Sequence, residues 1–123
     1  MTSGDLRMLR DVGHRAGGRL YLGLTSDGGM ALGEPQHALL ILGPPRSGKT
    51  VGLVIPNVLS APGAVVSTST KTDVMSATWR ARREVGRCWL FDPTGTVPVP
   101  AGVERVRWSP VCAAGKWDDA LVA

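Results

Sequence analysis

Gly43-Pro44-Pro45-Arg46-Ser47-Gly48-Lys49-Thr50 is a complete match to the spacing G-x-x-x-x-G-K-[ST] of a phosphate-binding loop. A purine nucleotide brings a dense cluster of negative charge to a protein. Holding it takes several backbone N–H groups aimed at one spot, and glycines let the chain curl tightly enough to aim them. Lys49 adds an ammonium on a long stem that reaches the β- and γ-phosphates, and the Thr50 hydroxyl is a ligand for Mg²⁺. The candidate nucleotide-binding residues are therefore Gly43, Pro44, Pro45, Arg46, Ser47, Gly48, Lys49 and Thr50, with Val51 following. ATP and Mg²⁺ are the expected ligands.

The flanks agree with that reading. His37-Ala38-Leu39-Leu40-Ile41-Leu42 reads as a buried strand running into the loop. Residues 48–59 read as the helix leaving it, with its positive end toward the phosphates. Pro56 lies inside that helix and is expected to bend or end it near Ile55. Upstream, residues 1–18 are polar and glycine-rich and read as a loose N-terminus. Residues 19–24 and 30–33, around the turn Thr25-Ser26-Asp27-Gly28-Gly29, read as a small antiparallel hairpin.

Downstream, Ala64-Val65-Val66-Ser67-Thr68 reads as a second buried strand. Thr70 to Asp73 fits a capping box for a helix that runs to Val85 and stops at Gly86. Val74, Ala77, Thr78, Ala81 and Val85 fall on one face of it at helical spacing. Arg87-Cys88-Trp89-Leu90-Phe91-Asp92 reads as a third strand, and residues 103–108 as a short fourth. The order strand, helix, strand, helix, strand with short connections predicts an α/β fold built on a mainly parallel sheet. Residues 19–123 would form one nucleotide-binding domain.

Composition narrows the class without deciding it. The 123 residues are 43% hydrophobic and 20% charged, with a net charge of +4 and arginine far outnumbering lysine. That charge permits an acidic partner but does not demand one. Cys88 and Cys112 lack metal-ligand spacing and read as thiols in a reducing compartment. No run of residues approaches a membrane span.

An ATP-hydrolysing loop domain also needs an acidic residue at the end of an apolar strand. Asp92 is the candidate, but Asp92-Pro93-Thr94-Gly95 is a natural turn, and Asp92 reads better as its cap. No catalytic residue is assigned. The run Asp118-Asp119-Ala120-Leu121-Val122-Ala123 reads as one turn of a helix, so the domain is expected to be incomplete. It would be either a piece of a longer ATPase or a nucleotide binder without turnover.

Several strings together resemble the type IV secretion coupling proteins, the TraG/TraD-like conjugative DNA transfer ATPases. They are Pro44 with Arg46-Ser47-Gly48-Lys49, Val54-Ile55-Pro56-Asn57, Val65-Val66 leading to Lys71-Thr72-Asp73, Thr78 with Arg82, Phe91-Asp92-Pro93, and Trp108-Ser109-Pro110. The resemblance covers residues 19–120. It implies the first part of a RecA-like motor domain in which Lys49 and Thr50 bind ATP and Mg²⁺. It implies a hexamer on the cytoplasmic side of the bacterial inner membrane that brings a relaxase–DNA complex to a type IV secretion channel. It places the acidic strand beyond Ala123. Ser69, Thr72 and Ser109 depart from the Asp, Gly and Asn of the family pattern, and Thr50 stands where Gly is frequent. The rival readings are a small P-loop kinase or metabolic NTPase, and a truncated, non-catalytic nucleotide-binding fragment.

Arg80, Arg82, Arg83 and Arg87 form the densest basic cluster, and read as a solvated helix face in preference to a DNA contact. Arg46 reads as an exposed loop arginine. Lys71 and Asp73 fall at the strand edge where α/β sheets bind ligands, and helix capping explains Asp73 equally well. Trp89, Trp108 and Trp117 read as packing residues.

Overall fold

β1 (Tyr21–Leu24) and β2 (Met30–Leu32) pair antiparallel, as the Asp-Gly-Gly turn predicts. A computed structural model of the chain describes residue 11, residues 13–14 and residues 16–109. The turn is closed by the Thr25 N–H donating to Gly29 O at 2.8 Å, with Gly28 at φ +83°. The register shifts between Tyr21 and Gly23, so Leu22 is the extra residue of a bulge. The chain divides into two units, Met1–Ala81 and Arg82–Ala123.

In the first unit the phosphate loop leads into a π-helical segment, Thr50–Val54, and then α1, Ile55–Ser60. The helix therefore does not end at Ile55. It passes Pro56 by widening. A proline ring clashes with the carbonyl four residues back, here Gly52. The wider π turn, in which the Ile55 N–H reaches Thr50 O, makes room just ahead of it.

α2, Asp73–Val85, forms where the apolar spacing predicts a helix. Val74, Thr78 and Ala81 are buried at i, i+4 and i+7. Thr78 donates its hydroxyl to Val74 O at 2.8 Å, so the buried oxygen is satisfied within the helix. Ala77 and Val85 were expected on this face and are exposed. Ala77 lies to one side of the narrow stripe, and Val85 is the terminal residue. The capping box also does not form. The Asp73 carboxylate accepts the Val74 N–H at 2.9 Å, and the Ser69 hydroxyl accepts the Lys71 N–H at 3.0 Å.

Two expected strands are absent. Neither residues 37–42 nor residues 64–68 take part in a sheet. Leu40 is 81%, Leu42 83% and Val66 93% exposed. An apolar run reports a demand for burial. It becomes a strand only where a neighbour supplies the hydrogen-bonded partner. Among the described residues no strand lies beside either run.

The second unit holds β3, Trp89–Phe91, and β4, Glu104–Val106. They pair parallel, with Trp89 opposite Glu104, Leu90 opposite Arg105 and Phe91 opposite Val106. Arg87 makes a bidentate pair with the Glu104 carboxylate, 2.8 Å from Nη2 to each oxygen, beside the first rung. Trp89 and Trp108 are not core residues: each is 57% exposed. A two-stranded ribbon leaves a face uncovered, and on Trp89 the Arg87 guanidinium lies 5.4 Å from the ring centroid. Trp117 and the helical turn expected at 118–123 fall outside the described residues, as do Cys112 and most of the N-terminal 18 residues. The fold class is mixed α/β with short sheets.

Candidate functional site

The Gly43–Thr50 loop takes its shape from two left-handed residues. Arg46 has φ +64° and Gly48 φ +83°, with Ser47 between them outside the positive-φ region. Alternation of this kind turns successive backbone N–H groups toward one concavity, which is how a chain makes an anion nest without a side chain. For Gly48 the conformation is free. For Arg46 it costs on the order of 1 kcal/mol, since its Cβ crowds the following carbonyl. At the first glycine the constraint is closeness of side chains instead. A Cβ on Gly43 would lie 3.0 Å from the Ser47 hydroxyl oxygen and 3.7 Å from Lys49 Nζ.

Lys49 folds back over the loop. Its Nζ donates to Gly43 O at 2.6 Å, to Pro44 O at 2.7 Å and to the Ser47 hydroxyl at 3.2 Å. All three ammonium donors are used, and the charge sits over the nest. An ammonium beside a loop of this backbone hand is suited, once it exchanges those bonds, to an oxyanion bearing more than one charge. Thr50 and Lys49 are half-buried at the start of the π-helical segment, whereas Arg46 and Val51 are exposed. The sequence reading of Arg46 as an exposed loop residue agrees with its placement, but not its backbone, which the sequence did not reveal.

Asn57 ties β1 to the segment leaving the loop, a linkage that sequence reasoning missed. Its Oδ1 accepts the Tyr21 N–H at 2.8 Å, and its Nδ2 donates to Tyr21 O and to Leu53 O, each at 2.8 Å. An amide following a helix proline was the available signal, since Asn there has no propensity reason to be present.

Asp92 is placed as a turn cap. One oxygen accepts the Thr94 N–H at 3.0 Å and the Thr94 hydroxyl at 2.6 Å, and the other accepts the Val97 N–H at 2.8 Å. The Thr94 hydroxyl, followed by the Val97 N–H, holds its pKa down at about 2. Arg105 lies 3.8 Å away and donates to Val97 O. A crevice of about 310 Å³ opens beside this turn, lined by Phe91, Asp92, Thr94, Arg105, Arg107 and Trp108. Both Asp92 carboxylate oxygens accept hydrogen bonds from the turn. Among the described residues no group of three or more His, Cys, Asp or Glu side chains is placed to hold a metal.

The arginines of the basic cluster have individual partners. Arg80 lies 5.3 Å from the centroid of the Trp79 ring, Arg83 donates to Ala101 O at 2.8 Å, and Arg87 is paired with Glu104. Lys71 is exposed. Among the described residues no helix is long and apolar enough to cross a membrane.

Comparison with known proteins agrees with the strings quoted above. The family model "Type IV secretory system Conjugative DNA transfer" matches residues 4–97, well over half of the chain. Protein VirD4 of Rhizobium radiobacter is 41% identical over 54 residues, which is 44% of this chain and 8% of that protein. Protein VirD4 of Rhizobium rhizogenes matches with the same identity and the same coverage. The stretch aligned with these relatives is thus about a twelfth of their length. No solved structure matches the chain.

Proposed function

The chain belongs to the type IV secretory system conjugative DNA transfer family, and from that premise we propose that it is the ATP-binding portion of a coupling ATPase with a RecA-like motor domain. The observation that carries the reading is the Lys49 ammonium bonded to Gly43 O and Pro44 O over a loop of alternating backbone hand. Backbone N–H groups of residues 46–50 would take the terminal phosphates, Lys49 would neutralise them, and Thr50 would supply the Mg²⁺ ligand. The residues fit a polyphosphate: the loop's alternating backbone hand suits an anion, its one cation is Lys49, and a Cβ at Gly43 would crowd the Ser47 and Lys49 side chains. Mg²⁺, when bound, would screen the phosphate charge. The chain's own part is to bind and orient. Asp92, held by its turn, is not proposed as a catalytic carboxylate.

For the complete protein the same reading extends to a homo-hexamer at the cytoplasmic side of the inner membrane. It would deliver a relaxase–DNA complex to the secretion channel. The test of the local claim is titration with a fluorescent ATP analogue. Lys49→Ala is expected to weaken binding at least tenfold, about 1.4 kcal/mol. Equal affinity of wild type and variant would sink the reading.

A further inference from the structure

We infer that Asn57 is a positioning residue for the phosphate loop, acting by locking the β1–β2 hairpin onto the helix that carries Lys49 and Thr50. The inference rests on the phosphate reading for its ligand, and on separate geometry for its mechanism. β1 has one side against β2, and the backbone of Tyr21 also meets an amide. Both its N–H and its C=O are taken by Asn57, each at 2.8 Å. The side chain thus stands in for one residue of a third strand. A peptide-like pair of opposed bonds fixes both distance and orientation, as a single bond does not.

The second Nδ2 hydrogen goes inward, to Leu53 O at 2.8 Å. Leu53 belongs to the π-helical segment that begins at Thr50. That segment is where regular α-helical bonding is interrupted ahead of Pro56, so it has less of its own bonding to set its rotation. One amide therefore satisfies a strand edge and braces the loosened turn directly behind Thr50. The hydrogen bonds of the Asn57 side chain go to Tyr21 and Leu53, outside the phosphate loop. Its effect travels through Leu53 and the segment to the side chains at its start.

Asparagine is required chemically. Aspartate keeps the shape and the acceptor for the Tyr21 N–H. It loses both donors and sets a carboxylate against two carbonyls. Glutamine keeps the donors but places them one methylene further out.

The experiment compares wild type, Asn57→Asp, Asn57→Gln, Lys49→Ala and Thr78→Ala in the full chain. Thr78→Ala removes a buried hydroxyl of α2 and serves as a control for loss of stability without loss of the lock. Two quantities are read: affinity for a fluorescent ATP analogue, and amide hydrogen exchange at residues 49–54. Asn57→Asp is expected to bind the analogue about tenfold more weakly and to speed exchange at residues 49–54 about tenfold. Asn57→Gln is expected to fall between it and wild type, and Thr78→Ala to leave both readouts near wild type. Unchanged exchange and affinity in Asn57→Asp would overturn the inference while leaving the phosphate reading intact. So would equal losses in Thr78→Ala. If wild type binds no analogue, the phosphate reading fails alone, and exchange at residues 49–54 in Asn57→Asp still decides whether the lock exists.

Discussion

At the scale of single residues, two side chains close loops on themselves in opposite senses. Lys49 satisfies the carbonyls of Gly43 and Pro44, and Asp92 satisfies the N–H groups of Thr94 and Val97. The second has a pH signature. Its carboxyl has a folded pKa of about 2, below the ordinary carboxylate value. A depressed folded pKa contributes stability that is complete above the unfolded value of about 4 and is lost as pH falls through 2. The melting temperature of wild type is therefore expected to drop between about pH 4 and pH 2 by more than that of Asp92→Asn. Parallel curves for the two proteins across that window would refute the capping role. The sequence showed this turn well, because Asp-Pro-Thr-Gly has its own local chemistry. It showed the phosphate loop for the same reason. It did not show the bonds of Asn57 to Tyr21, 36 residues away.

At the scale of elements, local signals succeeded and pairing signals did not. The hairpin, α2, and the parallel strands β3 and β4 sit where turn residues and periodicity place them. Residues 37–42 and 64–68 carry the same apolar signature as β3, but β3 has β4 beside it and they have no partner among the described residues. Periodicity encodes which side wants burial and is silent on what will cover it. α2 shows the complementary case. Its arginines are engaged individually: Arg83 with Ala101 O and, just beyond the helix, Arg87 with Glu104. Single-stranded DNA binding by Arg82→Ala/Arg83→Ala is therefore expected to keep the wild-type dependence on salt, with stability lower by about 0.5 kcal/mol for the lost Ala101 bond. A slope of log affinity against log salt flattened by about one unit per residue would put DNA on this helix instead.

At the scale of the whole molecule, the described residues bury few apolar side chains. Ala16, Val74 and Ala81 are the buried hydrophobic ones, while Leu40, Leu42 and Val66 are more than four-fifths exposed. Apolar surface of that kind seeks partners. The chain is expected to associate as concentration rises, with a broad, concentration-dependent melt. A sharp melt of a monomer across a hundredfold range in sedimentation experiments would show those side chains to be covered. Composition alone hid this, since 43% hydrophobic is ordinary for a packed domain. The loop itself needs none of that packing to keep its cation in place. Because all three Lys49 donors are engaged, on Gly43 O, Pro44 O and the Ser47 hydroxyl, an arriving anion must exchange those bonds for its own before the ammonium can hold it. That exchange is common to ATP, ADP and inorganic triphosphate, so their arrival rates should be nearly the same, and discrimination among them should reside in how long each one stays.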